Sequence, residues 1–252
     1  MNKQEAILEY TLRIADDSLI LGHRVSEWCG HGPILEEDIA LTNIALDLIG
    51  QATNFFDYAA KVQDQGKTCD DLAFLRLERE YKNVLLVEQK NGHFGDTLAR
   101  QFFFDVFRKL YFEALSKSAD KDLAGIAEKS LKETKYHLKH SSEWMIRLGD
   151  GTQESHDKIQ ESVNHLWKFT DELFFMDQVD ELLIKENIAV DLEALKSAWN
   201  GYINEIFQEA TLTIPTNGWK QAGGRKGLHS EHMGYALAEL QYMQRAYPNM
   251  QW

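Results

Sequence analysis

The sequence predicts an all-α chain built as a helix bundle, on three observations. Only three prolines, Pro33, Pro215 and Pro248, occur in 252 residues, and Leu, Ala, Glu, Lys and Gln are abundant, so little interrupts a helical course between the first two prolines. Apolar residues recur at spacings of three and four through most of the chain, the period of a helix with one buried face. No repeat of fixed period and no low-complexity tract is present, which excludes a solenoid. With 44% hydrophobic residues the chain has ample material for one large core, and a single domain over residues 1–252 is expected.

This periodicity places helices at 5–28, 37–63, 71–90, 94–118, 121–148, 152–176, 191–211 and 230–247. Gly30, Gly32 and Pro33 end the first, and Asn91-Gly92 parts the third from the fourth. Leu148-Gly149-Asp150-Gly151-Thr152 supplies a terminating glycine and then a threonine able to cap the sixth helix, while Asp191 can cap the seventh. Aromatic residues such as Phe55, Phe56, Phe102, Phe103, Phe104, Phe107 and Phe174 sit at helical spacings and read as core or subunit interface. One compositional shift occurs late. From 215 to 228 the chain is glycine-rich and basic, through Asn217-Gly218-Trp219-Lys220 and Gly223-Gly224-Arg225-Lys226-Gly227, and a surface loop with a task is expected there.

The second helix carries the most informative pattern. Ile39, Leu41, Ile44, Leu46, Leu48, Ile49, Phe55 and Phe56 make it apolar on nearly every side, which predicts burial all round. Asn43, Asp47, Gln51 and Asn54 nevertheless step along it at four, four and three, on a shared face. Unpartnered buried polar groups cost about 1–3 kcal/mol each, so the stripe must meet other polar groups. A polar bundle interior is where carboxylate-bridged di-iron centres are housed, and such a centre takes a lone Glu from each of two helices and Glu-x-x-His from each of two others. None of the nine histidines has a carboxylate three residues before it. His137 follows Thr134, with Glu133 four residues back, and Asp47 is followed at three by Gly50. Asp47, Glu133 and His137 are too few donors for two irons. His137 with His140, and His229 with His232, lack a third zinc ligand. The expectation is no metal on this chain, and a buried hydrogen-bond ladder through Asn43, Asp47, Gln51, Asn54, Glu133 and His137 that fixes helix register.

Composition narrows the function classes further. A formal net charge of -13 argues against nucleic acid as a partner. No apolar run reaches the length of a membrane span, and Met1 to Glu9 is not a secretory leader. Cys29 and Cys69 form neither a zinc spacing nor a disulfide framework, so a reducing, cytoplasmic setting is expected. Trp28-Cys29-Gly30-His31 reads as a turn capped by a buried cysteine rather than a nucleophile site. No G-x-S-x-G elbow, phosphate-binding loop or dinucleotide fingerprint is present, and no catalytic residue is assigned.

The strings Glu27-Trp28-Cys29-Gly30-His31, Leu46-Asp47-Leu48-Ile49-Gly50-Gln51-Ala52, Leu85-Leu86-Val87-Glu88-Gln89, Ala99-Arg100-Gln101-Phe102, Tyr136-His137-Leu138 and Gly227-Leu228-His229 resemble the C-subunit family of phenylacetyl-CoA epoxidases, over about Tyr10 to Trp252. The resemblance implies a ferritin-like bundle with additional C-terminal helices. It further implies a non-catalytic subunit of a bacterial multicomponent monooxygenase that epoxidises the ring of phenylacetyl-CoA during phenylacetate degradation. The implied partners are the catalytic A subunit, which carries the di-iron site, and other subunits of the complex. NADPH electrons would arrive through a reductase holding FAD and an iron-sulfur cluster, with no cofactor on this chain. Self-association in isolation is expected as well. Beside this stand two rivals: a stand-alone di-iron oxidase or oxygenase with unorthodox ligands, and a helical scaffold unrelated to oxygenases. The late loop has two readings. Arg225 and Lys226, with His229 at the start of the last helix, contact the catalytic subunit or a CoA phosphate, or the segment is a plain exposed loop.

Overall fold

A computed structural model describes residues 1–216, 218–248 and 250; Asn217 of the late loop and Trp252, where the resemblance ends, lie outside the described residues. Among the described residues there is no strand. The α-helices among these described residues are α1 (Lys3–Ser26), α2 (Leu35–Gln63), α3 (Cys69–Phe74), α4 (Leu85–Glu88), α5 (Phe94–Leu115), α6 (Lys121–Gly149), α7 (Gln153–Leu166), α8 (Gln178–Lys185), α9 (Leu192–Glu209) and α10 (Glu231–Ala246). The all-α class is as predicted. Where one domain is expected, the chain groups into two compact units, Met1–Lys90 with the segment from Gly223 onward, and Asn91–Ala222.

In the first unit α1 and α2 pack along their lengths. Gln4 Nε2 donates to Val62 O at 2.6 Å near one end, and Gly22 faces Leu48 and Ile49 towards the other, so the two helices run antiparallel. Asn2 starts α1 with a capping box: its Oδ1 accepts from Glu5 N at 2.8 Å, and Glu5 Oε2 accepts from Asn2 N at 2.8 Å. The expected helix over 71–90 is instead broken into α3, a 3-10 turn at Glu78–Glu80 and the single turn α4. Two carboxylates of α1 account for the break. Asp16 Oδ2 accepts the Lys82 N–H at 2.8 Å and Asp17 Oδ1 accepts the Val84 N–H at 2.9 Å, replacing the intrahelical bonds that this stretch would otherwise make.

The second unit is organised by α5, against which α6, α7 and α9 all pack. Phe102, Phe103, Phe104 and Phe107 are buried, and Phe103 meets Trp167 edge-on at 5.6 Å and lies 6.1 Å from Trp199. Trp199 Nε1 donates to Phe103 O at 3.1 Å, giving a buried indole the partner it needs. Thr152 and Asp191 cap α7 and α9 as expected, accepting from Ser155 N at 3.2 Å and Glu193 N at 3.1 Å. The helix expected at 152–176 continues past α7 only as a 3-10 stretch, Trp167–Phe174, and α8 is a helix that the periodicity missed.

Candidate functional site

Adjacent carboxylates on α1 organise the polar centre of the first unit. Asp16 and Asp17 are 0% and 1% exposed, a placement that requires a compensating cation for each. Asp16 receives Arg76, whose Nη1 donates at 3.0 Å and whose Nη2 closes a bidentate pair. The same guanidinium lies 4.2 Å from the centre of the Tyr81 ring. Burial works against the charge of Arg76, but Asp16 outweighs it and raises the pKa. Asp17 receives Arg225, with Nη1 at 3.1 Å from Oδ1 and Nη2 at 2.9 Å from Oδ2. Arg225 Nη1 also donates to Lys82 O at 2.7 Å and Arg13 O at 3.2 Å. Gly224 and Gly227 make this approach possible, since a Cβ on the first would overlap Asn83 O and on the second Arg79 O.

A second latch follows four residues later. Glu88 Oε2 lies 2.7 Å from His229 Nδ1 and accepts from Asn83 Nδ2 at 2.9 Å, while Glu88 Oε1 accepts from Ser230 N at 2.6 Å. His229 Nε2 lies 3.0 Å from Tyr81 O. Both ring nitrogens face acceptors, so both carry protons and the ring is an imidazolium against a carboxylate. Burial alone would lower its pKa, but the Glu88 hydrogen bond and charge reverse this and raise it. Arg24 Nε adds a bond to Glu88 O at 3.1 Å and its Nη2 one to His232 O at 2.8 Å.

These contacts correct the expectation for the late loop. Arg225 and His229 are directed inward and committed to Asp17 and Glu88, not presented to a partner or a phosphate; Lys226 alone of the three is exposed. In the same stretch, Lys220 pairs with Asp171 in the second unit. A sequence shows the charges of a loop but not the carboxylates, 208 and 141 residues away, that neutralise them.

The polar stripe of α2 is also placed differently. Asn43 is exposed, Asp47 and Asn54 are half-buried, and Gln51 alone is buried. All four belong to the first unit, whereas half-buried Glu133 and buried His137 belong to the second. Nor is α2 buried all round, because Leu35, Ile39 and Leu46 point outward at 72%, 52% and 62% exposure. Cys29, expected to be buried, is exposed.

The second unit has a polar centre of its own. Asp105, inside α5, accepts from Gln101 Nε2 at 2.7 Å on Oδ1 and from Ser141 Oγ at 2.8 Å on Oδ2. Burial raises its pKa to about 7, against the opposing effects of His137, Ser141, Gln101 and Arg108. Asp105 lies outside the expected ladder, though the sequence carries its signal: Gln101, Asp105 and Arg108 recur at four and three within an aromatic helix, the same spacing as the polar residues of α2. Among the described residues no group of three or more His, Cys, Asp or Glu side chains comes together to hold a metal ion. The donors present, one carboxyl engaged by two hydrogen-bond donors near one histidine, do not fit a di-iron centre, which takes four carboxylates and two histidines.

A family model described as phenylacetic acid catabolic protein matches residues 1–252. The chain belongs to that family. It is 50% identical over 243 residues, 96% of this chain and 98% of the relative, to the C subunit of the 1,2-phenylacetyl-CoA epoxidase of Escherichia coli strain K12. The all-α structure is consistent with the ferritin-like fold of this family that the resemblance implied. No helix among its described residues is long and apolar enough to cross a membrane. In this family member the first unit carries two satisfied charge clusters, Asp16 and Asp17 with their arginines and Glu88 with His229.

Proposed function

We propose that this chain is the non-catalytic structural subunit of a cytoplasmic multicomponent monooxygenase that epoxidises the aromatic ring of phenylacetyl-CoA, and that it binds and supports the di-iron catalytic subunit. The observation that carries the reading is the donor chemistry of the second unit, where Thr134 stands three residues before His137 and Asp105 is enclosed by Gln101 and Ser141. The extent of the likeness to the C subunit of an epoxidase, half of all residues over nearly the whole of both chains, supports the place in the complex. In this reading the chain carries no cofactor of its own; FAD and the iron-sulfur cluster belong to the reductase.

Reconstitution tests it. With the reductase and phenylacetyl-CoA supplied, the chain alone is expected to show no turnover, the catalytic subunit alone little, and the two together full turnover with a stable complex on size exclusion. Turnover by this chain alone, or no effect of it on its partner, would overturn the reading.

A further inference from the structure

The outward face of α2 is apolar where a soluble helix is normally polar. Leu35, Ile39 and Leu46 fall within about 40° of one another around the helix axis at 100° per residue, and each is more than half exposed. Single exposed aliphatics are ordinary; an aligned row is the mark of an interaction surface. Gly50 and Thr53 continue the row with small exposed residues, which lets another backbone come close.

The flank decides what lies on it. Glu36, Asn43, Asp47 and Asn54 run beside the row, and Asp57 closes its far end, while the only cation of α2 is Lys61 in its last turn. An apolar seam with an acidic edge matches a partner helix whose own apolar seam is edged by Lys or Arg. A second copy fits poorly. In a two-fold pairing, antiparallel α2 helices would bring Glu36 of one towards Asp57 of the other, like charges in a chain already at -13.

We propose that this face, Leu35, Ile39 and Leu46 with the acidic edge Glu36, Asp47 and Asp57, is the surface on which a basic-edged helix of the catalytic subunit docks. This rests on the subunit reading above and adds to it the face and the chemistry of its partner.

The test is a titration of the purified catalytic subunit with wild-type chain and with a Leu35→Glu, Leu46→Glu double variant, alongside Glu36→Lys, Asp57→Lys. The altered side chains are exposed, so thermal unfolding should stay near wild type. The apolar variant is expected to lose at least about 100-fold in affinity, and the charge variant to bind more slowly with a weaker salt dependence. Wild type binding while the apolar variant binds equally well would remove the face and leave the subunit reading intact. Failure of the wild type to bind would remove both. Loss of a homodimer in the apolar variant with unchanged partner affinity would show a second copy to be the occupant, and overturn the assignment.

Discussion

Replacing Arg225 by alanine is expected to destabilise the protein by about 3–5 kcal/mol, because it strands the Asp17 carboxylate in the interior without its cation. Asp17 is 1% exposed, and Arg225 supplies its bidentate partner while also satisfying Lys82 O and Arg13 O. For a chain of this size the loss corresponds to a fall in Tm of roughly 6–20 °C. The double variant Arg225→Ala, Asp17→Ala should be less damaged than the single substitutions summed, since removing both charges removes the uncompensated one. Urea unfolding followed by circular dichroism measures all three chains. A surface-displayed Arg225 would instead change stability by no more than about 0.5 kcal/mol, and that outcome would contradict the inward assignment.

The second large effect concerns Asp105, whose carboxyl titrates at about 7 in the folded chain against 3.8 for the ordinary group. Between those values the folded state keeps a proton that the unfolded state releases. Stability from this site is therefore greatest below about pH 4, declines as pH rises towards 7, and is level above it, a total of about 4 kcal/mol. Asp105→Asn keeps the shape without the ionisable proton, and Ser141 Oγ can turn to accept from the new amide because Leu138 O stands 3.3 Å away as an alternative acceptor. The variant should match wild type near pH 4 and exceed it in Tm at pH 8. Thermal melts across pH 4–8 decide this; parallel curves for both chains would mean that Asp105 is ionised in the folded state at neutral pH.

The parts of the fold legible in the sequence are those set by local period. Long amphipathic helices such as α1, α5 and α6 appear within a few residues of expectation, and the caps at Thr152 and Asp191 act as their chemistry suggests. The segment 75–90 was illegible because its backbone conformation is set by Asp16 and Asp17, 66 or 67 residues earlier. The candidate site divides the same way. The missing acid before His137 can be read directly, whereas the fate of Arg225 and His229 depends on Asp17 and Glu88, which no spacing rule connects to them. The α2 pattern misled for another reason. Apolar residues on all sides of a helix predict burial within the chain, but Leu35, Ile39 and Leu46 are exposed in it, and an intermolecular contact satisfies the same pattern.

In the function proposed above, this member of the family serves a metalloenzyme without holding the metal. Locating iron by anomalous diffraction in crystals of the reconstituted complex tests it most directly. Iron density is expected in the catalytic subunit and none within this chain. A bridged pair of metal ions among the helices of this chain would contradict it.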